Sequence, residues 1–158
     1  MRPEGMTLSS TIAGRVPALA LPITVAALAV AALIGGVARA STVSGSDTAH
    51  LHLVHQHEAL LYEEGRASGA LPGHMRAQLT VGSLLKGACT IYTTAGSIVG
   101  HGVATPHGTG RYQSFSGTLT VTGGSGRYRH AHGRTGLYGT FDRRTFALVV
   151  QITGRLSY

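Results

Sequence analysis

Between Thr118 and Gly133 the chain reads TLTVTGGSGRYRHAHG, an alternation of apolar and hydroxyl side chains that runs into a glycine cluster and leaves it as a second alternating segment. Successive side chains of a strand point to opposite faces, so Gly117, Leu119 and Val121 share one face and Ser116, Thr118, Thr120 and Thr122 the other. The glycines between the two segments admit positive φ and let the chain reverse. A two-faced strand must bury its apolar face against other strands, and the pattern points to a small closed or nearly closed antiparallel sheet.

The same grammar runs through the rest of the chain after residue 48. Strands are expected at Leu51 to Tyr62, Met75 to Val81, Lys86 to Thr94, Ser97 to Thr105, Tyr112 to Thr122, Tyr128 to Gly133, Leu137 to Phe141 and Phe146 to Leu156. Glycine-bearing joins at 82, 95 to 97, 108 to 110 and 123 to 126 separate many of them, at the spacing of an all-β barrel or sandwich. Phe146, Leu148, Val150 and Ile152 oppose Ala147, Val149, Gln151 and Thr153, so both faces of the last strand are largely apolar and it is expected to be central or to meet another subunit. Glycines inside the strands, such as Gly102, Gly117 and Gly139, favour the sharp bending that closure of a small barrel demands. No amphipathic helix of even three turns follows residue 41.

Ahead of this region, Arg15 and Arg39 bracket 23 residues without a formal charge, ending Ala38-Arg39-Ala40. A positive start, an apolar middle and small residues at the two positions a signal peptidase reads describe an export signal over residues 1–40. An uncleaved anchor over residues 16–38 is the alternative, because about 20 apolar residues span a bilayer. Either way residues 41–158 lie outside the cytoplasm: a flexible polar lead over 41–48 (STVSGSDT), then one β-barrel domain over 49–158. Their ten Lys/Arg against five Asp/Glu leave a formal charge of +5. Cys89 is the one cysteine, so no internal disulfide staples the domain, and its place in the strand-like Gly87 to Tyr92 suits a small buried hydrophobe.

The residues Gly117 to Gly133 resemble the repeated strand-turn-strand signature of the allene oxide cyclase and dirigent barrel superfamily. Gly124-Ser125-Gly126-Arg127-Tyr128 followed by Ala131-His132-Gly133 matches its turn, and Ile152 to Leu156 is similar to its last strand. The likeness spans about 40 residues, Gly117 to Leu156. It implies an eight-stranded antiparallel β-barrel, often trimeric, around an apolar cavity. Some members cyclise an unsaturated fatty-acid epoxide, and dirigent members steer the coupling of phenoxy radicals or quinone methides. The signature residues serve turn and strand geometry and assign no catalytic residue.

Several residue groups carry possible chemistry. The nine histidines include three H-x-H pairs, His50/His52, His55/His57 and His130/His132, each of which on a regular strand presents two imidazoles to one side. Zinc would need a third ligand, and Glu58 points away from His57; exposed histidines or a pH-responsive surface are the other readings. Glu63 and Glu64 are adjacent and face opposite ways, so they form no acid and base pair. Glu58, Tyr62 and Arg76, joined by Tyr92, are candidates to line one end of a cavity and polarise a substrate. Asp142-Arg143-Arg144 reads as a hairpin loop with solvated charge or as an anion site. Arg127, Arg129 and Arg134 with Tyr128 and Tyr138 form a basic aromatic patch, but export, modest charge and the lack of a binding motif argue against nucleic acid and toward weak contact with an anionic envelope. Gly123 to Gly126 lacks the Lys-Ser/Thr ending and helix of a phosphate loop, and no cofactor motif occurs.

The leading expectation is a non-enzymatic exported barrel that binds a small apolar ligand or associates with itself or the envelope. A barrel isomerase or cyclase acting on an unsaturated lipid-like or phenolic substrate is the rival, and a histidine-based metal-binding module is third. Cleavage after Ala40 predicts that the protein recovered from its host begins at Ser41 by intact mass, whereas retention of residues 16–38 in a membrane fraction indicates the anchor.

Overall fold

The computed structural model describes residues 40–158, so the expected export segment lies, apart from Ala40, outside the described residues. Eight strands follow in order: β1 (Thr42–His57), β2 (Leu60–Gly69), β3 (Gly73–Val81), β4 (Leu85–Thr93), β5 (Gly96–His107), β6 (Tyr112–Gly124), β7 (Gly133–Asp142) and β8 (Leu148–Ser157). Each pairs antiparallel with the next, and β8 pairs with β1, closing the barrel. The protein is thus all-β, a closed eight-stranded antiparallel β-barrel. Among the described residues no helix is long and apolar enough to cross a membrane.

Three expected elements are placed differently. The polar stretch 41–48 is not a flexible lead but the first half of β1, where Thr42 to Thr48 pair with Ser157 to Gln151 of β8. A strand is held by backbone hydrogen bonds, which small polar residues supply as well as large ones, and Asp47 is buried there with its Oδ1 accepting from the Leu71 N–H at 2.6 Å. The expected strand Leu51 to Tyr62 is split, because Glu58 adopts φ 54° and reverses the chain between β1 and β2. Tyr128 to Gly133 is not a strand. Gly126 at φ 57° starts a 3₁₀ turn, Gly126–Tyr128, and the Ala131 N–H then donates to the Tyr128 carbonyl at 2.9 Å.

Alternation fills the interior. Leu119 and Val121 of β6 and Leu148, Val150 and Ile152 of β8 are buried, as their phase requires. The larger core cluster includes Leu51, Leu61, Met75, Phe115, Phe141 and Leu148; the smaller, with Leu71, Ile98, Tyr128 and Leu156, seals the end at which the chain enters and leaves. Gly139 shows why a strand residue must be glycine: a Cβ there would collide with the Phe115 ring and the Val149 carbonyl. Bulges interrupt β1 at Val54 and β6 at Thr122, opposite Val99 and Gly100 of β5. Such insertions increase local twist and help a short sheet curl.

Full burial of a leucine side chain is worth roughly 1.5–3 kcal/mol in transfer alone, and a cavity adds to the loss on truncation. The protein is therefore expected to lose about 2–5 kcal/mol of unfolding free energy on truncation of Leu61, 2% exposed, in Leu61→Ala, read from urea denaturation.

Candidate functional site

In β2 the phase of the strand sends Leu61, Glu63 and Ala67 into the barrel and leaves Tyr62, Glu64 and Arg66 outside. Glu63 is 2% exposed, and neither of its carboxylate oxygens has a hydrogen-bond partner. Burial pushes this carboxyl from an ordinary value near 4.5 up to about 8, so that it is mostly neutral at pH 7. A protonated carboxyl keeps one O–H donor and free acceptor capacity. Left unpaired in an apolar interior, such a group costs about 1–3 kcal/mol, a cost that a ligand's polar atom can offset.

The surroundings distinguish Glu63 from the other buried polar groups. Asp47 accepts the Leu71 N–H, although burial still raises its carboxyl above the usual range. Thr135 donates its hydroxyl to the Leu119 carbonyl at 3.4 Å, and Asp142 holds Arg111. Glu63 pairs in register with Leu53 on one side and Ala77 on the other, and Ala77 pairs with Cys89. Ala77 and Cys89, though not Glu63 itself, line an apolar cavity of about 50 Å³, whose lining also includes Phe115, Phe141 and Leu148. Its lining mixes small residues, Ala77, Cys89, Gly102 and Ala104, with large apolar ones. Burial pushes the Cys89 thiol up to about 11, which leaves it a packing group and not a nucleophile. A second apolar cavity of about 40 Å³ lies among Leu71, Ile98, Val121 and Leu156.

The residues expected to line an internal cavity do not do so. Glu58 sits exposed in the β1–β2 turn. Tyr62, Arg76 and Tyr92 do come together, but along a groove of about 590 Å³ on the outer wall, which Glu64 and, from β2's inward position, Glu63 also border. There Arg76 Nε lies 3.4 Å and His74 Nε2 3.5 Å from Glu64 Oε2, and the Arg76 guanidinium sits 5.9 Å from the Tyr92 ring centroid. Strand phase is the reason, because the inward positions of β3 beside Arg76 belong to Met75 and Ala77.

The histidines are likewise external. His50 and His52 lie opposite Arg66 and Glu64; past the bulge at Val54, His55 lies opposite Tyr62 and His57 opposite Leu60. The inserted residue shifts the phase by one, which keeps all four histidines in register with outward residues of β2, and the His55 and Tyr62 rings are 5.7 Å apart. His130 and His132 sit beyond the 3₁₀ turn, not on a strand, with His132 Nδ1 2.8 Å from the His130 carbonyl. Among the described residues no three His, Cys, Asp or Glu side chains gather to hold a metal ion, so no pair acquires the third ligand that zinc would want.

Glu63 is the residue the sequence reading passed over. Its signal is present in LLYEEGRASG, where one carboxylate falls in phase with Leu61, Gly65 and Ala67. Comparisons with models of known protein families, with curated proteins and with solved structures give no match.

Because the folded chain retains a proton on Glu63 that the unfolded chain releases near pH 4.5, its contribution to stability is fully present below that pH. It is lost as pH rises to about 8, by about 5 kcal/mol in all. Unfolding free energy measured from pH 5 to pH 8 is expected to fall more steeply for the parent than for Glu63→Gln; equal slopes would place the raised carboxyl elsewhere.

Proposed function

We propose that this chain is an exported, non-enzymatic β-barrel that binds a small, largely apolar molecule in its interior, with protonated Glu63 as the one polar contact. The observation that carries the reading is the Glu63 carboxyl, sealed from water in an apolar barrel with both oxygens unpartnered. The apolar lining of the neighbouring cavity, which includes the small residues Ala77, Cys89, Gly102 and Ala104, adds to it. A cavity of about 50 Å³ admits only a few heavy atoms as it stands. A larger occupant must displace neighbours, and Met75, lining the cavity, is an unbranched side chain suited to that. The ligand is therefore small and compact, and it carries an oxygen or nitrogen that accepts from or donates to the carboxyl.

Export rests on the uncharged residues 16–38 and the Ala38-Arg39-Ala40 ending, with the barrel working outside the cytoplasm. The closed order of strands and the apolar interior support kinship with the allene oxide cyclase and dirigent barrels at the level of architecture. Binding is favoured over isomerisation because acid-base chemistry wants a second titratable partner. Among the described residues Glu63 is the one buried side chain left without a partner, and Glu58, Tyr62, Arg76 and Tyr92 are outside.

Native mass spectrometry of the protein recovered from its host's medium tests the reading. The expected spectrum shows a small molecule retained by the parent chain and lost, with affinity down about tenfold or more, in Glu63→Leu. An empty parent barrel, or equal retention by Glu63→Leu, would overturn it.

A further inference from the structure

At the end of the barrel opposite Ser41 and Tyr158, the loop between β5 and β6 and the loop between β7 and β8 are tied into one unit. Arg111 donates from Nη2 to Asp142 Oδ2 at 2.8 Å and from Nε to Asp142 Oδ1 at 3.1 Å. The Arg143 N–H donates to the Arg111 carbonyl at 2.9 Å, and the Arg144 N–H to Asp142 Oδ1 at 2.8 Å. The Arg111 guanidinium also lies 4.9 Å from the Tyr112 ring centroid. Arg111 is thereby held from two sides, and its presence keeps the Asp142 carboxyl well below the usual carboxylate range.

The consequence is an unbalanced charge. Thr109, Gly110, Arg111, Arg143 and Arg144 line an open cleft of about 480 Å³. Asp142, the acidic residue of this loop pair, is already engaged by Arg111 and by the Arg144 N–H. Arg143 and Arg144 make no ion pair among the described residues. Arg143 and Arg144 therefore line the cleft without an acidic partner among the described residues, beside Thr109, on loops whose backbones are cross-bonded. Guanidinium groups match the oxygens of a phosphate in bidentate fashion, and a fixed scaffold lowers the cost of arranging them.

We propose that this cleft binds a phosphate ester, with Arg143 and Arg144 as the anion-binding pair, Thr109 as a hydroxyl donor and the Arg111–Asp142 pair as the clamp that positions them. The volume leaves room for the group the phosphate is attached to. The site is separate from Glu63, on loops outside the strand that carries it, so either proposal can fail without the other.

The test is a titration of the folded protein, as it is recovered from its host, with glycerol phosphate at constant ionic strength, following the arginine Nε–Hε and Gly110 amide signals by NMR, with sedimentation of phosphatidylglycerol and phosphatidylcholine vesicles in parallel. Saturable shifts at Arg143, Arg144 and the Gly110 amide are expected, those at Gly110 weakened about tenfold or more in Arg143→Gln/Arg144→Gln and unchanged in Arg127→Gln. Soluble ester binding without a preference for the anionic vesicles identifies a free phosphate compound. Binding confined to phosphatidylglycerol, and lost in the double variant, identifies a lipid headgroup; both support the site. Equal binding by the double variant, shifts reproduced by chloride at the same ionic strength, or no binding to either probe would overturn it. A near-ultraviolet circular dichroism spectrum matching the parent shows that the double variant is folded.

Discussion

Closure of β1 onto β8 is the constraint on which the other features rest. Thr42 to Leu51 pair with Ser157 to Leu148, and Ser41 and Tyr158 exchange backbone hydrogen bonds at 2.8 and 2.9 Å. An open sheet of the same strands would leave two edges with unpaired N–H and C=O groups and one face wet. Once closed, the sheet encloses a space that water reaches poorly, and every residue acquires either an inward or an outward identity. Glu63 becomes a buried neutral acid for this reason alone. Glu64, one residue away, is a half-buried outer carboxylate that meets Arg76 and His74.

Phase within each strand then distributes the chemistry. On the inside it gathers Leu51, Met75, Phe115 and their neighbours, with a single unpartnered carboxyl among them. On the outside it gathers the histidines of β1, the Tyr62, Arg76 and Tyr92 groove, and most of the charge. The bulge at Val54 matters because in a regular strand of the same sequence His55 and His57 would fall on the opposite face from His50 and His52. Polar groups off the sheet faces follow another rule and are settled by local bonds. Asp47 is held by a backbone N–H from the β2–β3 loop, and Asp142 by Arg111 and the turn that follows it.

Much of the fold was legible because glycine and alternation leave little choice. The segments from Met75 to Thr122 and the last strand follow the expected spans to within a few residues. The failures share a cause. Ser41 to Thr48 carries no apolar pattern, so nothing local announced that it would pair with β8. The reversal at Glu58 uses a positive φ on a residue that is not glycine, so HQHEALLY read as one strand in place of a hairpin. That error hid β2, and with it Glu63, whose inward phase becomes visible only when Leu60–Gly69 is recognised as a strand. At Tyr128 to Gly133 the alternation was genuine but the chain was already engaged in the 3₁₀ turn, with the Arg127 N–H donating to the Ala95 carbonyl across the barrel's end at 2.9 Å.

Local physics, carried in the order of residues, was enough to make these segments strands, to turn them at most of the glycines, and to send Glu63 and Glu64 to opposite faces. It could not say which of the two would lose its water. That was decided when strands from the two ends of the described chain met, because burial belongs to the enclosed space and not to any residue. The clamp of Arg111 on Asp142 has the same origin. Two loops 31 positions apart in sequence become neighbours only because β6 and β7 are paired, and the uncompensated charge of Arg143 and Arg144 follows from that meeting.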